Sequence, residues 1–202
     1  FIGSLVQKGF YVAAESRTNY IHTLLSLASS LNMRYLAPTE DPHVVYANNN
    51  VLQAVKSLGY QYVHLDSGFD LTRRNRNADI EYLGDNPVEL LLSAYSATLL
   101  QKTLLGPLNK LVNLNVYSPF AVKGANRFNE NMEVLRTIPD IPGPTFTFNH
   151  NLLPHPPYLF DRDGNVRRQS EYLGEDYSAI GLYIDQLVHV NRVIEGIVGD
   201  IL

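Results

Sequence analysis

The chain has no cysteine. That excludes disulfides, thiolate zinc sites and a cysteine nucleophile, and it fits an oxidising or a reducing compartment alike. It has no apolar run long enough to span a bilayer, and no signal peptide is visible. It also lacks a basic stripe. The net charge is −4, which argues against a nucleic-acid footprint. The only basic clusters are Arg73-Arg74-Asn75-Arg76 and Arg167-Arg168, and both read as solvated loops. Internal repeats and low-complexity segments are absent.

What is present is an ordinary globular composition. Of 202 residues, 45% are hydrophobic and 18% charged, enough for one core with room for a smaller lobe. The chain opens on Phe1 and closes on Leu202, each inside a helical pattern. It is therefore expected to be a piece of a longer protein, so the missing membrane segment says nothing of the parent.

The pattern alternates helix and strand. Phe1 to Lys8 reads as a helix end with Gly9 as its cap, and Phe10 to Ala14 as a short buried strand. Helices are expected over Thr23 to Leu31 and Asn48 to Leu58, the second closed by Gly59. Tyr60 to Leu65 reads as a strand broken by Ser67-Gly68. Pro87 suits a first helical turn, opening a helix from Val88 to about Leu104 that Gly106-Pro107 stops. Another helix is expected over Asn126 to Thr137, then a Pro/Gly connector from Pro139 to Pro144. A long amphipathic helix from Tyr177 to Leu202 places Ile180, Ile184, Leu187, Val190, Ile194, Ile197 and Ile201 on one core-facing stripe. Helices between short apolar strands indicate an α/β fold, a largely parallel sheet flanked by helices.

The richest segment starts at Thr145-Phe-Thr-Phe-Asn-His150 and ends in Pro154-His155-Pro156-Pro157. Its alternating start reads as a strand, and the prolines can continue neither strand nor helix. His155 is thus expected just past the carboxyl end of a strand, on a stiff extended support. Ligands of open α/β sheets bind at that edge. His155 is either a plain loop histidine or a functional one. His150 would point to the opposite face of a regular strand and reads as a satisfied strand-end histidine. Thr23 stands near a helix amino terminus, either as an N-cap or as a nucleophile where anions are favoured. A bare hydroxyl needs a base or a metal, and the sequence supplies no neighbouring base of obvious quality. Arg73 and Arg74 follow the Tyr60–Leu65 strand; they are candidates to hold an anionic substrate, with solvent exposure the plainer alternative. Asp161-Arg-Asp163-Gly164-Asn165 has the start of a calcium-loop spacing but not its glutamate, so it reads as a tight turn.

Three segments together carry a resemblance: Asn19-Tyr20…Thr23…Ser26-Leu27-Ala28-Ser29-Ser30-Leu31-Asn32-Met33, Gly59-Tyr60…Ser67-Gly68, and His150…Pro154-His155-Pro156-Pro157. In this order they resemble the sulfatase-like hydrolase/transferase family of the alkaline phosphatase superfamily, nearest its bacterial membrane-anchored branch. The resemblance covers most of the chain. It implies an incomplete alkaline-phosphatase-like core over residues 1–202, truncated at both ends. It implies Thr23 as the nucleophile on phosphorus or sulfur and as one metal ligand, and His155 as a substrate contact. It implies a divalent metal in the full-length parent (Mn, Mg, Ca or Zn), with none held tightly by this piece. The substrate would be an anionic ester, lipid- or glycan-linked forms included. The parent would be anchored elsewhere, on the extracytoplasmic face of a bacterial membrane.

The chain departs from the family pattern by having no Asp-His dipeptide. The family's metal aspartate would precede Phe1, and its Asp-His pair would follow Leu202. The piece alone is therefore expected to be inactive. Two other readings stand beside this one. One is a non-catalytic binding or envelope-assembly domain of the same fold; the other is a plain α/β domain whose proline loop is only a rigid turn.

Overall fold

The computed structural model describes residues 1–69, 72–84, 119–168 and 179–202. The helix expected from Val88 to Leu104 lies outside them. The described elements are α1 (Ile2–Gln7), α2 (Thr23–Asn32), α3 (Pro42–Ala47), α4 (Asn50–Ser57), β1 (Gln61–Leu65), β2 (Ile80–Tyr82), α5 (Pro119–Thr137), β3 (Thr145–Asn149) and α6 (Ala179–Ile201). The three strands form one parallel sheet in the order β2-β1-β3. The fold is mixed α/β, a small parallel sheet flanked by helices. The chain divides into two compact units. One comprises Phe1–Leu83, Glu133–His150 and Asp200–Leu202, the other Gly84–Met132 and Asn151–Gly199.

The first unit is built on β1, whose last four residues are buried. Strand alternation sends Val63 and Leu65 to one face, Tyr62 and His64 to the other. Val63 and Leu65 pack with Ile138, Ile80, Tyr82, Val134, Leu135 and Ile141. Burying each stabilises the fold by about 1.5–3 kcal/mol. The register pairs Val63 with Ile80 and Leu65 with Tyr82, which keeps the aliphatic face continuous. The opposite face is aromatic: His64 stacks on Phe148 at 5.5 Å, and Tyr46 of α3 meets Phe148 edge-on at 6.0 Å. A parallel sheet covered on both sides is the usual arrangement.

Asn32 fastens the three helices beside this sheet. Its amide donates to Ala28 O at 2.7 Å and to Val45 O at 3.1 Å, and its Oδ1 accepts from the Asn50 N–H at 3.0 Å. Asp41 caps α3 through the His43 N–H with Pro42 in the first turn, and Asn49 caps α4 through the Leu52 N–H.

The second unit buries Ala125, Phe128 and Met132 of α5 with Leu159, Phe160, Leu182 and Val190. Phe160 and Val166 form a single antiparallel bridge across the Asp161–Asn165 turn. Asp161 Oδ1 accepts from the N–H groups of Asp163 and Asn165 at 2.9 and 2.8 Å. The calcium-like spacing is thus a tight turn.

Several expectations need correction. Phe10–Ala14 forms no strand, and Tyr11 is 92% exposed; an apolar run needs a neighbouring strand to pair with, and it pairs with none among the described residues. The helix expected over Asn48–Leu58 is the shorter α4, preceded by the separate α3. The third strand is β2, which the sequence pattern did not indicate. α5 starts at Pro119, ahead of Asn126. On α6 the buried positions are Leu182, Gln186, Val190 and Ile197, whereas Ile180, Ile184 and Ile201 are exposed. The helix is turned so that Gln186 faces inward.

Candidate functional site

Thr23 is the first residue of α2, and its side chain is exposed. The N-cap position belongs to His22, whose side chain makes no capping bond, which corrects the view of Thr23 as the cap. The first N–H groups of a helix have no internal acceptor, and here no side chain among the described residues caps them. They and the helix dipole favour an anion at Thr23. The preceding segment is tied down. The Thr18 hydroxyl donates to Tyr20 O at 2.7 Å and therefore accepts from Ser26 Oγ at 2.9 Å. The Asn19 amide donates to Ser29 Oγ at 2.8 Å, and Ser29 Oγ donates to Arg34 O at 2.6 Å. The Tyr20 hydroxyl accepts from the Leu36 N–H at 3.0 Å. Polar residues of the Asn19–Asn32 segment thus serve to hold the start and end of α2. The Thr23 hydroxyl itself makes no hydrogen bond among the described residues.

A second polar cluster sits at the carboxyl ends of β1 and β3, in the same unit. His64 is wholly buried. Its Nε2 lies 3.0 Å from Thr72 O; a carbonyl only accepts, so Nε2 carries the proton. Nδ1 then accepts from the Tyr62 hydroxyl at 2.8 Å. Burial holds His64 below its ordinary pKa and pushes the Tyr62 phenol well above its own. The Thr72 hydroxyl is shared between Ser67 Oγ at 2.8 Å and His150 Nδ1 at 2.6 Å. His150 is half-buried just past β3, with its pKa lowered by burial. It is the satisfied strand-end histidine that the sequence suggests. Asp66 is buried and accepts from the Gly68 N–H at 2.7 Å. Arg73 Nε lies 3.7 Å from Asp66 Oδ2, with the arginine side chain only 14% exposed. Arg73 is therefore not the solvated residue expected. Arg74 is exposed but bonded to Glu81 Oε2 at 2.8 Å.

In the second unit, the proline loop is a turn rather than an extended support. The His155 N–H donates to Leu152 O at 2.9 Å, across the cis Leu153–Pro154 peptide. His155 stands six residues beyond the end of β3, not directly at the strand end. Its ring is exposed, and Nδ1 lies 2.6 Å from Pro156 O. Nδ1 therefore bears the proton, and Nε2 is the outward atom. A neutral His155 thus accepts through Nε2, and only its imidazolium donates there. Arg167, expected to be solvated, is buried. It donates to Phe160 O at 3.0 Å and to Asp185 Oδ2 at 2.8 Å.

Thr23 belongs to the first unit and His155 to the second. A threonine hydroxyl can offer a metal one hard oxygen, and divalent ions need several. Among the described residues no group of three or more His, Asp or Glu side chains could hold a metal ion. No described helix is long and apolar enough to cross a membrane. Comparison with protein-family models, curated proteins and solved structures finds no match.

Proposed function

We propose that this chain is part of a metal-dependent sulfatase-like hydrolase or transferase with an alkaline-phosphatase-like core, acting on phosphate or sulfate esters. The observation that carries the proposal is Thr23, an exposed, uncommitted hydroxyl on the first residue of the uncapped helix α2. That is the position the family resemblance assigns to the nucleophile. The surrounding fasteners, Thr18, Asn19, Ser29 and Asn32, belong to the segment that carries the resemblance, and they give Thr23 a fixed mount.

In this reading Thr23 Oγ attacks phosphorus or sulfur, and the ester oxygen leaves with a proton. Water or an acceptor alcohol then releases the group from Thr23. The amino end of α2 stabilises the anionic centre during both steps. The resemblance gives His155 the part of a substrate contact, for which Nε2 is the outward atom. Arg73 and Arg74 are engaged by Asp66 and Glu81, so an anionic substrate would compete for them. A divalent ion would supply charge neutralisation; Thr23 would be one of its ligands, and the others are proposed on parts of the parent protein beyond residues 1–202. The resemblance further suggests a membrane-anchored parent on the extracytoplasmic face of a bacterial membrane.

The test is turnover of aryl phosphate and aryl sulfate esters by the full natural protein, with Mn²⁺, Mg²⁺, Ca²⁺ or Zn²⁺ supplied in turn. Thr23→Ala is expected to lower kcat by at least about 10³-fold, and Thr23→Ser to keep part of it. Activity that survives Thr23→Ala removes the nucleophile assignment. A natural protein that binds anionic esters without turning any over supports the non-catalytic domain instead.

A further inference from the structure

The proline loop has few ways to be held. Pro154, Pro156 and Pro157 carry no N–H, so the backbone around His155 offers few donors. The N–H groups of Leu159 and Phe160 are among the first available after the prolines. Both donate to one atom, Gln186 Oε1 of α6, at 2.6 and 3.2 Å. The other end of the same amide, Nε2, lies 3.4 Å from His155 O. Gln186 is fully buried, on the face of α6 that also buries Leu182, Val190 and Ile197. A buried polar side chain there is costly unless its bonds are made. Gln186 makes them to the loop within its proline run, at His155 O, and just after it, at Leu159 and Phe160. The adjacent Asp185 holds Arg167, which in turn donates to Phe160 O, so α6 also grips the far strand of the turn.

We propose that Gln186 is the positioning residue for His155, fixing from α6 the loop that presents its ring. This rests on the proposed part of His155 in ester transfer. Gln186 touches no reacting atom; it acts through the backbone. Gln186→Leu keeps the size and removes both the acceptor and the donor. Gln186→Glu keeps an acceptor oxygen in the same place.

The experiment uses the natural protein and three readouts: amide hydrogen exchange at Leu159 and Phe160, the NMR signals of the His155 ring, and steady-state kinetics on an aryl phosphate ester. Both amides should be protected in the wild type. In Gln186→Leu they should exchange rapidly, the His155 ring signals should shift, and kcat should fall about 10²-fold with KM within a few-fold. Gln186→Glu should recover kcat to within about tenfold of the wild type. A folded Gln186→Leu protein with unchanged ring signals and kcat would overturn the proposal. So would a Gln186→Glu kcat as low as that of Gln186→Leu. If Gln186→Leu does not fold, unprotected Leu159 and Phe160 amides in the wild type overturn it and protected ones support it. A wild type that turns over no ester defeats the functional reading alone, because exchange and ring signals still decide the role of Gln186.

Discussion

At Gly164 the backbone takes φ +94°, and a Cβ would meet His189 Cε1 at 2.5 Å. At Gly59 φ is +84°, but a Cβ would meet nothing within 4 Å. The pair separates two costs. Gly59→Ala should destabilise by about 1–2 kcal/mol from backbone strain. Gly164→Ala should add an overpacking cost of about 1–3 kcal/mol. Urea midpoints of the two variants check the difference; equal losses would show that the His189 ring gives way freely. The histidines set a pH dependence of known sign. Burial lowers the pKa of His64, His150 and His189 from 6.5, with Arg192 adding to the effect at His189. The unfolded chain protonates these rings near 6.5 while the folded chain resists, so unfolding takes up protons as pH falls through that range. Stability should therefore drop as pH falls below about 6.5. A further loss is expected at more acid pH. Asp79 is held low by Lys56 and the Tyr62 N–H, and Glu40 is held at about 2 by Arg34; each loses its contribution as pH falls through its folded value. Urea titrations from pH 7.5 to 5 should show the first loss, and a flat or rising midpoint would contradict it.

At the scale of elements, β1 and Asn32 carry the first unit. Leu65→Ala should cost about 2–5 kcal/mol, because it opens a cavity beside Ile138 and Tyr82. Asn32→Ala leaves the Asn50 N–H and Val45 O without their partner. It should cost about 1–3 kcal/mol, measured as a shift in the thermal midpoint; no shift would mean that water replaces the amide. The elements that were legible in the sequence are those whose signals are local. Gly59 ends α4, alternation marks β1 and β3, and periodicity marks α2 and α6. Strand β2 was not legible, since three residues carry no alternation and owe their pairing to β1. Helix α3 had a readable start in Asp41-Pro42, but its six residues are too few for a periodic stripe. Phe10–Ala14 shows the converse: apolar residues alone do not make a strand. The face of α6 was misplaced because Gln186 is buried for its hydrogen bonds, which a hydrophobic pattern does not register.

At the scale of the molecule, the two catalytic candidates read from the sequence, Thr23 and His155, lie in different units, each on a mount of its own. Thr23 was legible because a helix start is a local event. Its mount was not, since Asn19, Ser29 and Arg34 meet through the fold. His155 was legible from its prolines, whereas Gln186 and Arg167, which hold its loop, lie across the unit on other elements. Arg73 was misjudged for the same reason, as Asp66 reaches it only in the folded chain, whereas Arg74 is exposed as expected. The central claim is that Thr23 carries the transferred group. The most direct measurement is mass spectrometry of the Thr23 peptide from the natural protein, acid-quenched during turnover of an aryl phosphate or sulfate with divalent metal present. The account predicts a phosphoryl or sulfuryl group on Thr23 that disappears once substrate is exhausted. Sustained turnover with an unmodified Thr23 peptide, or with the group on another residue, would contradict it.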